Sequence, residues 1–206
     1  MIMAVGFRRW VFLLSGLVCF GVGITLMVRG ELGLSPWEVL SQGISNSTGI
    51  AIGTVSILLG LPIMLAWIPL GERPGIGTLI NIVLIGIVTN ITLGMIGPLG
   101  SMAVKIAFML AGVVIIGIGS GLYLSSNMGA GPRDGLMMGL ARKTTWPVRR
   151  VRTIIEVSVL VVGVLLGGTV GIGTVVFAFG IGPVVQAALR VFRRQTAQPI
   201  QVANAH

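Results

Sequence analysis

Six long apolar runs organise the chain: residues 10–28, 51–70, 75–97, 102–124, 153–170 and 172–190. About 20 apolar residues in a helix cross the roughly 30 Å of hydrocarbon in a bilayer. The pattern therefore predicts an all-α membrane protein with six transmembrane helices. The first run follows Arg8-Arg9, as a leader would, but lacks a small-x-small cleavage site and has a full-length copy later in the chain, so it reads as a span.

That copy is part of an internal repeat. With an offset of 96 residues and no gap, Gly21 falls on Gly117, Gly23 on Gly119, Gly33 on Gly129, Pro36 on Pro132 and Gly43 on Gly139. Further along, Gly75-Ile76-Gly77-Thr78 falls on Gly171-Ile172-Gly173-Thr174. Matches concentrated on Gly and Pro mark backbone geometry, which an apolar composition does not force. Three spans per copy is an odd number, so the second copy enters from the opposite side. The expected build is two inverted three-helix repeats, 10–97 and 98–194, between a short cytoplasmic N-terminus (1–9) and a disordered cytoplasmic tail (195–206).

Between the first and second spans of each copy lies a segment too short to cross. The first is Gly33-Leu34-Ser35-Pro36-Trp37-Glu38-Val39-Leu40-Ser41-Gln42-Gly43, and the second runs from Gly129 to Gly139 through Gly131-Pro132-Arg133-Asp134. Eleven helical residues span only about 16 Å, so each reads as a broken or re-entrant half-helix. Paired Gly/Pro-interrupted segments in matching positions are the best sequence pointer to a transporter's binding site.

Two readings of their acids stay open. Ser35-Pro36-Trp37-Glu38 has the form of a capping box, with glycine as cap in the second copy, so Glu38 and Asp134 would only start helices. Alternatively, acids at membrane depth line a polar cavity and couple a proton or cation to transport. On the second reading the substrate and coupling candidates are Ser35, Glu38, Asn81, Gly131, Arg133 and Asp134.

Composition agrees with the membrane reading: 54% of residues are hydrophobic, 9% are charged and the mean hydropathy is +1.03. A soluble domain carries about 25% charged residues, so this chain cannot cover a water-facing surface. The net charge of +9 sets orientation rather than nucleic-acid binding. With the N-terminus inside, all Lys and Arg except Arg29 and Lys105 fall on the cytoplasmic side, placing both termini there. The cluster Arg142, Lys143, Arg149, Arg150 and Arg152 would meet anionic lipid headgroups.

Enzymatic chemistry is not expected. His206 is the sole histidine and Cys19 the sole cysteine, so the chain holds no His-based triad, disulfide or His/Cys metal site. No nucleotide-binding spacing is present, and no cofactor is expected. Trp10, Trp37, Trp67 and Trp146 read as interfacial belt residues. Glu156, four residues after Arg152, reads as half of a helix ion pair, and Asn81 and Asn90 as groups facing the bundle interior. Gly117-x-x-x-Gly121 and Gly135-x-x-x-Gly139 are helix-packing spacings that suit a homo-oligomer.

The stretches Leu32-Gly33-Leu34-Ser35-Pro36-Trp37 and Gly129-x-Gly131-Pro132-Arg133-Asp134-Gly135, with the twice-used GIGT, resemble the YczE/YyaS/YitT group of bacterial membrane proteins. The likeness spans roughly residues 10–190. It is nearest the YczE branch, since the soluble C-terminal domain of YitT-type members has no counterpart here. The resemblance implies a bacterial cytoplasmic-membrane protein and assigns no functional residues.

The function expected from architecture is a small secondary carrier or exporter of a small polar metabolite. The alternative is a non-transporting accessory protein whose basic loop docks a cytoplasmic enzyme or regulator.

Overall fold

The structure, a computed structural model, describes residues 2–196, with side chains from Gly6 to Phe192. Those residues are helical and contain no strand: α1 (Ile2–Gly30), α2 (Pro36–Thr48), α3 (Ile52–Leu65), α4 (Trp67–Leu70), α5 (Ile76–Met95), α6 (Met102–Ser125), α7 (Pro132–Thr144), α8 (Val148–Leu165) and α9 (Ile172–Thr196). Helix α9 takes in residues 195 and 196 of the expected tail; the rest of that tail, His206 included, lies outside the described residues.

Among the described residues, five stretches are long and apolar enough to cross a membrane: Gly6–Gly30, Ile52–Leu70, Ile76–Met95, Met102–Ser125 and Ile172–Phe192. The expected span 153–170 differs. Its helix begins at Val148, which draws Arg149, Arg150 and Arg152 into the first turns, and ends at Leu165 before Gly167, whose φ of +88° suits only a residue without a Cβ. The expected span 51–70 is one apolar length broken after Leu65. Pro69 has no N–H to offer the Leu65 carbonyl and its ring crowds that oxygen, so α4 starts afresh.

Apolar residues cover the outer surface as well as filling the core, where Leu13, Leu17, Ile24, Met27, Val113 and Ile116 are buried. On α5, Leu79, Val83, Ile87 and Ile91 recur every fourth residue and are exposed, while Thr78, Asn81 and Thr89 on the other side are buried. Thr25 of α1, fully buried, bonds to Thr92 Oγ1 on α5. Asn90 accepts from the Gly53 N–H at 2.9 Å and donates to Thr54 Oγ1 at 2.9 Å, tying α3 to α5. Apolar side chains on the outside and hydrogen bonds between helices inside are features of helices packed in lipid.

The most extensive helix pair is α1 with α6. Its seam is glycine on both sides. A Cβ on Gly16 would lie 2.7 Å from the Gly119 carbonyl oxygen, and a Cβ on Gly112 would lie 2.8 Å from that of Gly23. Residues 16 and 112, like 23 and 119, are 96 apart, so the two close approaches are the same contact seen from opposite ends. The helix starts repeat this relation: Gly77 N–H donates to the Met128 carbonyl at 2.9 Å, and Gly173 N–H to the Leu32 carbonyl at 2.7 Å.

The GxxxG spacings serve this internal packing. Gly117 and Gly121 receive Val184 and Ala188 of α9, while Gly135 and Gly139 receive Trp67 and Leu70. Reciprocity is incomplete: α3 packs along α5, but the corresponding α8 and α9 are not closely packed among the described residues.

Candidate binding cavity

The two short helices α2 and α7 are built alike. Each has 13 residues, a proline at its first position, an extended cap residue (Ser35 or Gly131) and an acid in the first turn. Proline fixes the opening φ and has no N–H to leave unsatisfied, so the helix starts abruptly. Both starts open into one cavity of about 200 Å3. Phe20 of α1 and Ile116 of α6, which line the same cavity, lie near the middle of their long helices, so the short helices begin at mid-bundle depth.

All six residues singled out from the sequence line this cavity: Ser35, Glu38, Asn81, Gly131, Arg133 and Asp134. The capping-box reading is not the geometry found. Neither cap residue makes a side-chain cap hydrogen bond, and the carboxylates point elsewhere. The Arg133 guanidinium donates through Nη1 to Glu38 Oε1 at 2.7 Å, joining α7 to α2. The same guanidinium carbon sits 5.0 Å from the centre of the Trp37 ring. Asp134 Oδ2 accepts from the Tyr123 hydroxyl at 2.7 Å and belongs to no ion pair among the described residues.

Sequence reasoning missed several contributors. Tyr123, deep in an apolar run, had no local mark of its role; only the fold brings it beneath α7. Arg152 and Glu156 form the expected ion pair, at 2.9 Å, and both line the cavity rather than serving only an interface. Trp37 and Trp67 are not belt residues. Both are buried; Trp67 Nε1 donates to the Pro132 carbonyl at 3.0 Å and holds the start of α7. The Trp37 indole N–H is buried without an acceptor. Trp10 and Trp146 are exposed, as an interface requires.

Two polar side chains in the wall are uncommitted. Asn81 is only 8% exposed and Ser35 3%, and neither side chain makes a hydrogen bond within the described residues. Polar groups that face a cavity without a protein partner are free to bond to water or a ligand there. Ser56 and Ser120 also line the wall, and apolar residues, including Leu59, Ile63, Ile85, Met137 and Phe177, make up most of the remainder. No group of three or more His, Cys, Asp or Glu that could hold a metal ion occurs among the described residues.

Comparison with known proteins agrees with the fold's character. Residues 7–190 match the sequence family described as "Family of unknown function (DUF6198)". An "Uncharacterized protein" of Haemophilus influenzae is 44% identical over 88% of this chain and 84% of its own length. The "Uncharacterized membrane protein YczE" of Bacillus subtilis is 35% identical over 95% of this chain and 89% of its own. The "Uncharacterized protein YyaS" of the same organism is 26% identical over 77% and 81%. No solved structure matches.

Proposed function

This chain belongs to the DUF6198 family, and from that premise we propose that it is a small secondary transporter of a polar metabolite in the bacterial cytoplasmic membrane. The reading takes the chain as six spans in two inverted repeats, with both termini in the cytoplasm. Helix α8 is the sixth span: its 18 residues give about 27 Å, close to one hydrocarbon thickness. Inversion is supported by the reciprocal contacts, Gly16–Gly119 with Gly112–Gly23 and Gly77–Met128 with Gly173–Leu32.

One observation carries the functional reading. The starts of both half-helices meet in a single mid-bundle cavity, and the side chains they supply are ones a structural core would not need. Substrate sites at the interface of repeats, framed by broken helices, are the transporter arrangement. The unequal packing of α3 on α5 and of α8 on α9 suits one of two states in an alternating-access cycle. The accessory-protein reading draws less support, because its basic segment is partly engaged within the chain: Arg142 pairs with Glu72, Arg152 with Glu156, and Arg150 lies over Trp146.

The test is transport by the purified chain in proteoliposomes exposed to a bacterial small-molecule extract. Saturable, protein-dependent movement of one or a few polar solutes is expected, and it should fall in Glu38→Gln and Asp134→Asn. Movement that does not saturate would indicate a passive channel instead. No protein-dependent movement of any solute would remove the carrier assignment.

A further inference from the structure

We infer that the cavity takes a small organic monocation, a protonated amine on an apolar body, with Asp134 as its counterion. This deepens the transporter reading and rests on it for the idea that the cavity is a substrate site. The argument starts from the charges in the wall. Glu38 is matched by Arg133 and Glu156 by Arg152, each through a direct ion pair. Asp134 alone among the wall's charged residues has no ionic partner. Arg133, its chain neighbour, is turned to Glu38 and the Trp37 ring instead. A carboxylate at bundle depth without a countercharge is costly, and such groups face a cavity and pair with something in it.

The neighbouring groups fit an ammonium better than an alkali ion. Asp134 Oδ2 takes one hydrogen bond, from Tyr123, and an ammonium offers further N–H donors to the carboxylate. Ser35 and Asn81 add oxygens with no partner of their own. A desolvated alkali ion needs a fuller oxygen shell than these groups provide, whereas Phe20, Ile85 and Phe177 offer an apolar bed for a hydrocarbon body. The cavity, of about 200 Å3, suits a small ligand rather than a large one. An anionic substrate would face Asp134 with both arginines already occupied.

The experiment measures binding to the full chain in detergent, by calorimetry, with benzylamine as probe, benzyl alcohol as its uncharged counterpart and potassium chloride as the alkali-ion control. Saturable benzylamine binding is expected, with none for the alcohol. Asp134→Asn, which keeps an acceptor for Tyr123, should weaken binding by roughly tenfold or more, the loss of a charge-assisted hydrogen bond, while Asp134→Glu should retain it. Equal binding of amine and alcohol, undiminished binding by Asp134→Asn, displacement of the amine by potassium at equal concentration, or no benzylamine binding by the wild-type chain would each overturn the inference. Failures separate cleanly. Flux of an uncharged or anionic solute without amine binding defeats this inference and leaves the carrier standing, whereas amine binding without flux does the reverse.

Discussion

Arg133 and Glu38, 95 residues apart, are joined at 2.7 Å across the starts of α7 and α2, and Glu38 is almost wholly buried there. Repeat-related positions are 96 apart, so this bond links the second residue of one half-helix to the third of the other. Each half thus closes on its counterpart through side chains the two do not share: Trp37 occupies in the first copy the place of Arg133 in the second.

Breaking this pair from one side leaves a buried charge uncompensated, which costs about 3 kcal/mol or more in buried pairs. Arg133→Met should therefore lower the unfolding temperature of the purified protein more than Glu38→Gln does, since Glu38 is the more buried partner. The double variant should lose less than the sum of the two. Strictly additive losses in a double-mutant cycle would show that the two side chains do not interact.

Tyr123→Phe removes the one hydrogen bond that Asp134 accepts among the described residues. Bonds to charged groups contribute about 1.5–3 kcal/mol, so a measurable drop in stability is expected. If the Asp134 carboxylate is the substrate counterion, the same change should alter the affinity for benzylamine while leaving Glu38–Arg133 coupling intact. A variant with unchanged affinity and unchanged melting would deny Tyr123 its place at the site.

The glycine seam predicts a sharp positional contrast. A Cβ on Gly112 would lie 2.6 Å from Met27 Cγ and 2.8 Å from the Gly23 oxygen, while a Cβ on Gly182 meets nothing within 4 Å. Gly112→Val should force α1 and α6 apart and sharply reduce the yield of monodisperse protein in size-exclusion chromatography. Gly182→Val should not. Comparable yields for the two would mean that the α1–α6 approach is looser than described.

Outside the spans, Glu31 follows α1 and is exposed; it accepts from Lys105 at the start of α6. The Lys105 hydrogen bond and charge hold the Glu31 carboxyl below its ordinary value, with Arg29 adding a lesser pull. A depressed acid contributes stability above its unfolded pKa and loses it as pH falls through the folded one. Lys105→Met should move the Glu31 titration, followed by carbon NMR of labelled glutamate, back up toward the ordinary glutamate range. Because the pair is solvent-exposed, added salt should shrink the shift. A titration that does not move in the variant would assign the depression to another group.

Much of this organisation is local and was legible in the residues. Apolar length marked five helices long and apolar enough to cross, since only a run near 20 residues spans the hydrocarbon, while the expected span 153–170 came out differently. Gly and Pro at a constant offset marked both helix breaks, because these residues encode backbone geometry at their own positions; that Gly16, Gly23, Gly112 and Gly119 bring α1 against α6 emerged only from the fold. Five of the six candidate wall residues lie at those breaks, Asn81 was read as facing the bundle interior, and the fold places all six at one cavity. The capping box was the natural local reading of Ser35–Glu38, and it fails because a partner unseen in the local sequence, Arg133, binds Glu38 more strongly than a backbone amide does.

What tertiary structure alone decided is partnership. Whether Trp37 and Trp67 sit at an interface or inside, whether Asp134 finds a cation or Tyr123, and whether α8 packs on α9 depend on contacts between segments far apart in the chain. A residue's type sets which bonds it is able to form, but only the packed helices set which groups come within reach. For this protein the sequence alone marked most of the stretches apolar enough to cross and the two places where the chain breaks. The fold determined that Glu38 is neutralised and that Asp134 is left without an ionic partner.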